Sequence, residues 1–414
     1  MVKLNFDVKK HILENGLEVI TINRDTQIAA VNIGIKVGAL YETEKEKGIS
    51  HFIEHVLFKG TFKRNDEQLN EELEALGGEY NAYTDYDATV YTISCLIEEF
   101  ENAVELLGDM IINSAFDKDE IEKERGVILS EIKTSKDDIE DFSFKNVNKI
   151  AFEKSGLKYE VTGLEEDVSS FTRQDIVEYY KKYYTPKNSL ITMVSPLSHE
   201  DAIRLVKKNF GQWQGEKPVN IPIIKEDNKE IKQISYKKDL EQSTIVYLYT
   251  FNNITKDDEL PLRILNHRLG ESANSLLFRE VREKRGLAYD IYTHLEITNN
   301  IKTLYIYTAV SEENIEEAED AINLTLKNIV EGKIQIGEKD LNIMKKVHKT
   351  AVISTLEDSS ELCNYMLHQD LEGDDIYEFL KDMDRLNNLD VEKINKVAKQ
   401  VLKKPTIHIL KPER

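Results

Sequence analysis

The segment GISHFIEHVLFKGT (48–61) carries three side chains suited to metal chemistry within five positions: His51, Glu54 and His55. A four-residue spacing places both imidazoles on one face of a helix, where they can grip a single ion. Glu54 stands one position before the second histidine, giving the order HxxEH, the reverse of HExxH. Phe52, Ile53, Val56, Leu57 and Phe58 make the remainder of the segment apolar, and Ser50 is the expected N-cap. Three ionisable groups on so apolar a helix are costly unless a cation compensates them. That cost is the physical reason to expect metal.

A third ligand is available further on. The segment FDKDEIEKERGVILSEIKTSKDD (116–138) reads as an amphipathic helix, with Asp117 and Glu120 in capping-box spacing at its start. Glu124 and Glu131 are two turns apart and share a face. Glu131 lies among Ile128, Leu129 and Ile132, where an unpaired carboxylate would be expensive. Two imidazoles and one carboxylate leave the fourth position of tetrahedral zinc open for water. Glu54 is then the expected general base, and Glu124 an outer carboxylate that orients His51 or His55.

The elements that must position these residues alternate between strand and helix patterns. AAVNIGIKVG (29–38) is β-rich and TVYTISCL (89–96) alternates; EQLNEELEAL (67–76) and EEFENAVELLGDMI (98–111) have helical spacing. The order recurs in the second half. TIVYLYTF (244–251) and IKTLYIYTAV (301–310) are strands, NIEEAEDAINLTLKNI (314–329) echoes 98–111, and 336–352 echoes 116–132. Such recurrence over about 200 residues points to duplication of one domain. The expected organisation is a catalytic domain over 1–214, an exposed linker at 215–230 and a second domain of similar plan over 231–414. Aligned at an offset of 220, Glu124 and Glu131 face Met344 and Ala351, and no HxxEH follows residue 61, so the second half lacks these candidate ligands. His267, with Glu271 four residues on, lacks a second histidine and reads as structural.

Taken together, HFIEHVLFKGT, LGGEYNAYT (76–84), IEKERGVILSEI and LFREVREKRGLAY (277–289) resemble a half-size member of the pitrilysin family of metallopeptidases. Insulin-degrading enzyme and the mitochondrial processing peptidase belong to that family. In it the third ligand is a glutamate 76 positions after the second motif histidine; here 131 − 55 = 76, at Glu131. The resemblance implies an α+β fold of two tandem homologous domains, each a mainly antiparallel β-sheet packed with α-helices. It also implies one zinc ion per chain and an edge strand presenting Asn81 and Ala82 to the substrate backbone. Arg282 and Tyr289 of the second domain match residues that contact the substrate carbonyl. Half-size members generally pair around a chamber, so a homodimer acting on unfolded peptides is expected.

Bulk properties agree with an enzyme rather than a nucleic-acid module. The 414 residues carry 76 acidic and 55 basic side chains, a net charge of −21 that repels nucleic acid. No apolar run approaches the roughly 20 residues of a membrane span. Neither a signal segment nor a CxxC pair is evident around Cys95 and Cys363, and a reducing cytoplasm fits. The alternative is a non-catalytic scaffold of the same fold; such subunits lose motif residues, whereas His51, Glu54, His55 and Glu131 are all present.

Overall fold

The structure, a computed structural model, describes residues 5–219 and 221–413. The chain forms two compact units. The first comprises Met1–Lys133, Glu160–Pro222 and Val352–Glu378; the second comprises Thr134–Tyr159, Ile223–Ala351 and Phe379–Arg414. Each is an α+β domain built on one sheet.

In the first unit the strands are β1 (Phe6–Ile12), β2 (Glu18–Arg24), β3 (Ile28–Ile35), β4 (Glu79–Thr84), β5 (Thr89–Leu96) and β6 (Ser189–Ser195). Their spatial order is β1-β2-β6-β3-β5-β4, antiparallel except for the parallel pair β2–β6. The second unit has β7 (Ile231–Lys237), β8 (Ser243–Thr250), β9 (Ala288–Ile297), β10 (Lys302–Val310) and β11 (Thr406–Pro412), in the order β7-β11-β8-β10-β9. Again one pair, β7–β11, is parallel and the rest are antiparallel. The second sheet therefore repeats the first without its leading strand. Duplication is visible in the topology itself.

Helices decide how each strand reads. Four follow one another in the first unit: α1 (Ile49–Leu57), α2 (Asp66–Ala75), α3 (Phe100–Asn113) and α4 (Lys118–Asp137). Strand β3 (IAAVNIGI) is buried along nearly its whole length because it is covered on both faces, by α3 and by the helix Ser359–Leu371. The second cover comes close. A Cβ on Gly34 of β3 would approach the Leu367 side chain to 3.2 Å, and Thr192 Oγ1 donates to the Cys363 carbonyl over 3.0 Å. The same helix steadies β4, where the Tyr83 hydroxyl meets Asn364 Oδ1 and His368 Nε2, each at 2.7 Å.

Helix Ser359–Leu371 follows β7–β10 in sequence yet packs on the first sheet. The reverse holds for α5 (Ile139–Ala151), which packs on β8 and β11, with Ser143 Oγ 2.6 Å from Thr244 Oγ1. Strands β1–β6 all precede residue 214 and β7–β11 all lie within 231–414, while one helix of each half joins the other half's sheet.

Leu367 is fully buried between this helix and β3. Leu367→Ala is expected to lower stability by about 2–5 kcal/mol through lost burial and a residual cavity. Urea unfolding measures this, and a change under about 0.5 kcal/mol would place the helix outside the core of the first sheet.

Candidate metal centre

Helix α1 starts from an unusual corner. Gly48 adopts φ +92°, and a Cβ there would lie 2.6 Å from the Thr162 carbonyl oxygen, so the position is restricted to glycine both by conformation and by space. The expected cap Ser50 lies inside the helix, and its hydroxyl meets the Tyr179 hydroxyl at 3.0 Å. The orphan N–H groups are satisfied by a different side chain. Buried Glu42 accepts from Gly48 N–H and Ser50 N–H, each over 2.9 Å, placing a carboxylate at the positive end of the helix. Burial raises the Glu42 pKa to about 7 against the pull of these two donors and of Lys47.

The side chains that α1 aims outward meet those of α4. His51 Nε2 and His55 Nε2 lie 3.8 and 3.7 Å from Glu131 Oε2. The donor atoms of His51, His55 and Glu131 all fall within 4.8 Å of one another, and among the described residues no other group of His, Cys, Asp and Glu converges this way. Two ligands of a tetrahedral zinc with bonds of about 2.1 Å are roughly 3.4 Å apart, so this set fits the ion with small adjustments. Nitrogen, nitrogen and oxygen is also a donor set that suits zinc. Glu131 is not buried among its apolar neighbours in sequence. Its side chain is 44% exposed, because Ile128 and Ile132 point into the core from the adjacent stripe of α4. This candidate ligand stands at the mouth of the cluster.

Glu124, two turns earlier on the same face of α4, is buried. Its Oε2 lies 3.1 Å from His55 Nδ1, and its Oε1 is 3.2 Å from Lys59 Nζ. With Nδ1 held by a carboxylate, His55 presents Nε2 to Glu131, the tautomer a metal requires. His51 has no such partner: its Nδ1 is buried without a hydrogen bond.

Glu54 projects toward β4. Thr84 Oγ1 donates to Glu54 Oε2 over 2.6 Å, a contact that sequence reasoning missed although Thr84 closes the NAYT segment. Strand β4 is the edge of its sheet. There the Ala82 N–H is directed to its neighbour's side chain, Asn81 Oδ1, over 2.9 Å. Arg282 and Tyr289 belong to the second unit, where the Arg282 guanidinium lies 5.0 Å from the centroid of the exposed Tyr289 ring. Arg285 pairs with Glu280 at 3.0 Å, just before Gly286 turns the chain at φ +65°.

Electrostatics follow from burial and like-sign crowding. Burial, aided by the neighbouring His55, lowers the His51 pKa to about 4, so this imidazole is neutral. Burial also acts to lower His55, but the Glu124 hydrogen bond and the charges of Glu54, Glu124 and Glu131 outweigh it and leave the pKa raised. Burial raises Glu54 despite the Thr84 bond and His55, whereas for Glu124 the bonds to His55 and Lys59 overcome burial and lower it. Of these two carboxylates, Glu54 is held toward its protonated form and Glu124 toward its ionised form.

Comparison with known proteins bears on this arrangement. Residues 18–164 match the family described as Insulinase (Peptidase family M16), and residues 170–347 match the Peptidase M16 inactive domain. A Bacillus subtilis protein described as an uncharacterized zinc protease is 27% identical over 401 residues, covering 95% of each chain. One from Rickettsia felis with the same description is 33% identical over 318 residues, 76% of each. Among solved structures, a Helicobacter pylori protease superposes with a TM-score of 0.91 over 98% of this chain and all of its own, at 22% identity.

Two outcomes are expected for metal binding. Removing the second carboxylate, Glu124→Ala, should weaken zinc binding about 10–100-fold in a competition titration, since His55 loses the group that orients it. The raised His55 pKa means the metal-free site holds a proton more tightly than an ordinary imidazole, so affinity falls as pH drops through that pKa. Calorimetry at pH 6 in buffers of different ionisation enthalpy should show about one proton released per ion; none released would contradict a protonated His55.

Proposed function

The chain belongs to peptidase family M16, and from that membership we propose that it is a zinc-dependent endopeptidase whose ion is held by His51, His55 and Glu131. The observation that carries this reading is the convergence of three donors from α1 and α4 next to a buried carboxylate, Glu54, tethered to an edge strand. A zinc ion there supplies Lewis acidity, lowering the pKa of water toward neutrality and polarising a carbonyl.

The protein's own groups do the rest. Thr84 occupies Glu54 Oε2 and so fixes its rotamer, leaving Oε1 to take a proton from water and return it to the leaving amine. A raised pKa brings Glu54 nearer to working pH and suits it to both transfers. Along β4 an extended peptide adds as a further strand, with main-chain hydrogen bonds giving affinity. Asn81 Oδ1 now holds the Ala82 N–H that a peptide carbonyl would claim, so Asn81 acts as a stand-in that swings away on binding. Arg282 and Tyr289 are the donors we assign to the oxyanion of the tetrahedral intermediate. Paired chains enclosing unfolded peptides in a cytoplasmic setting complete the reading. Among the described residues no helix is long and apolar enough to cross a membrane.

Hydrolysis of a quenched fluorescent peptide should be lost on chelation and regained with zinc. Glu54→Gln should keep its zinc, by metal analysis, while losing activity about 10²–10⁴-fold. A variant within tenfold of the parent would remove Glu54 from the chemistry. A zinc-loaded parent that cuts nothing in a mixed peptide library would instead be a scaffold.

A further inference from the structure

The second unit repeats the elements of the metal centre but fills them with different chemistry. Helix Lys256–Asn266 follows β8 and precedes β9, as α1 follows β3 and precedes β4. Aligning the two places RILNH (263–267) on HFIEH (51–55): 263 − 51 = 212 and 267 − 55 = 212. Arg263 replaces His51, Asn266 replaces Glu54, and His267 keeps the place of His55. The partner helix Glu338–Glu357 has the length of α4 and begins 220 positions later, which sets Met344 at the place of Glu124 and Ala351 at that of Glu131.

These substituted positions still surround a cavity. Arg263, Asn266, His267, Met344, His348 and Ala351 line a space of about 240 Å³, with Leu295 of β9 and Val347 adding apolar wall. Relative to the metal centre, two carboxylates have become apolar and one imidazole has become a guanidinium. A cradle for a cation has turned into one for an anion.

The polar groups are specific in what they leave free. Glu271, the one acid in the wall, accepts at Oε1 from Asn266 Nδ2 over 2.6 Å, and its Oε2 lies 3.5 Å from His267 Nδ1. Asn266 is 1% exposed, and its Oδ1 has no hydrogen-bond partner. A buried unpaired acceptor is costly and calls for an N–H donor. Among the described residues the Arg263 side chain makes no hydrogen bond or ion pair, although it is close enough, with burial acting first, to help lower the His348 pKa. His348 is therefore held toward its neutral form, with Asp382, Glu271 and His267 as the other ionisable groups that bear on it.

We propose that this cavity binds an α-amino carboxylate with an apolar side chain. Its carboxylate meets the Arg263 guanidinium, its N–H meets Asn266 Oδ1, and its side chain packs on Leu295, Met344 and Val347. Guanidinium is the side chain best shaped for a carboxylate. The space is below the roughly 300–1,000 Å³ of drug-sized pockets, which favours a single residue. Two sources share this chemistry: a free amino acid and the C-terminal residue of a peptide.

Calorimetric titration of the full zinc-loaded chain with N-acetyl-L-leucine, L-leucine and N-acetyl-L-leucinamide tests it. One of the two carboxylates should bind saturably, one per chain, and the amide at least about tenfold more weakly. Tighter N-acetyl-leucine identifies a peptide C-terminus; tighter leucine identifies a free amino acid. Arg263→Gln, at an exposed position, should weaken binding about tenfold or more, and Ala351→Phe, which fills the cavity, should abolish it. Absence of saturation for both carboxylates overturns the proposal. So does binding that Arg263→Gln leaves unchanged, since the carboxylate would then be sitting on the zinc. None of these readouts needs peptide cleavage, so failure here is separate from failure of the peptidase reading.

Discussion

The proposed metal centre depends on two imidazoles from one helix and a carboxylate from another being held in register. Helix α1 is otherwise apolar and buried, with Phe52, Ile53, Val56 and Leu57 in the core of its sheet, so its position is fixed by packing before any ion arrives. The remaining freedom lies in the imidazole rings. Glu124 removes it for His55 by bonding Nδ1, and Lys59 in turn keeps Glu124 ionised. The site is thus assembled from the core outward, its last ligand, Glu131, being the most exposed of the three.

The same hierarchy governs the surroundings. Glu42 and Gly48 set where α1 begins, and hence which residues of the helix face α4. Helix Ser359–Leu371, arriving from the far end of the chain, presses on β3 and β6 and grips β4 through Tyr83, the residue before Thr84. Thr84 then reaches Glu54. The edge strand proposed to receive substrate and the carboxylate proposed to move a proton are therefore linked by a single hydroxyl, so a shift of the edge is felt at Glu54.

Legibility in the sequence followed the range of the interactions. HxxEH spacing and the seven-residue step from Glu124 to Glu131 are local helical periodicities, and they located the residues that the fold brings together. The duplicated order of strands and helices was readable for the same reason, down to the place of β3 and β5 and their counterparts β8 and β10. Contacts that depend on the tertiary path were not. Glu42 lies six residues before Gly48 with no motif to mark it, and Ser50 looked like a cap because its type and position suit one. Exchange of the helices Ile139–Ala151 and Ser359–Leu371 leaves no trace in composition, since an amphipathic stripe does not say which sheet it covers. Glu131 was placed among apolar neighbours in sequence, but a rotation of one position along α4 brings it into solvent while Ile128 and Ile132 enter the core. His267 read as structural for want of a second histidine, and Met344, Val347, His348 and Ala351, which line the same cavity, lie on a helix some eighty residues away.

Anomalous diffraction at the zinc edge from crystals of the metal-loaded chain tests the central claim most directly. The account predicts one strong peak in the first unit, about 2.0–2.2 Å from His51 Nε2, His55 Nε2 and a Glu131 oxygen. A peak elsewhere, or a peak with Glu131 turned away from it, would contradict the account.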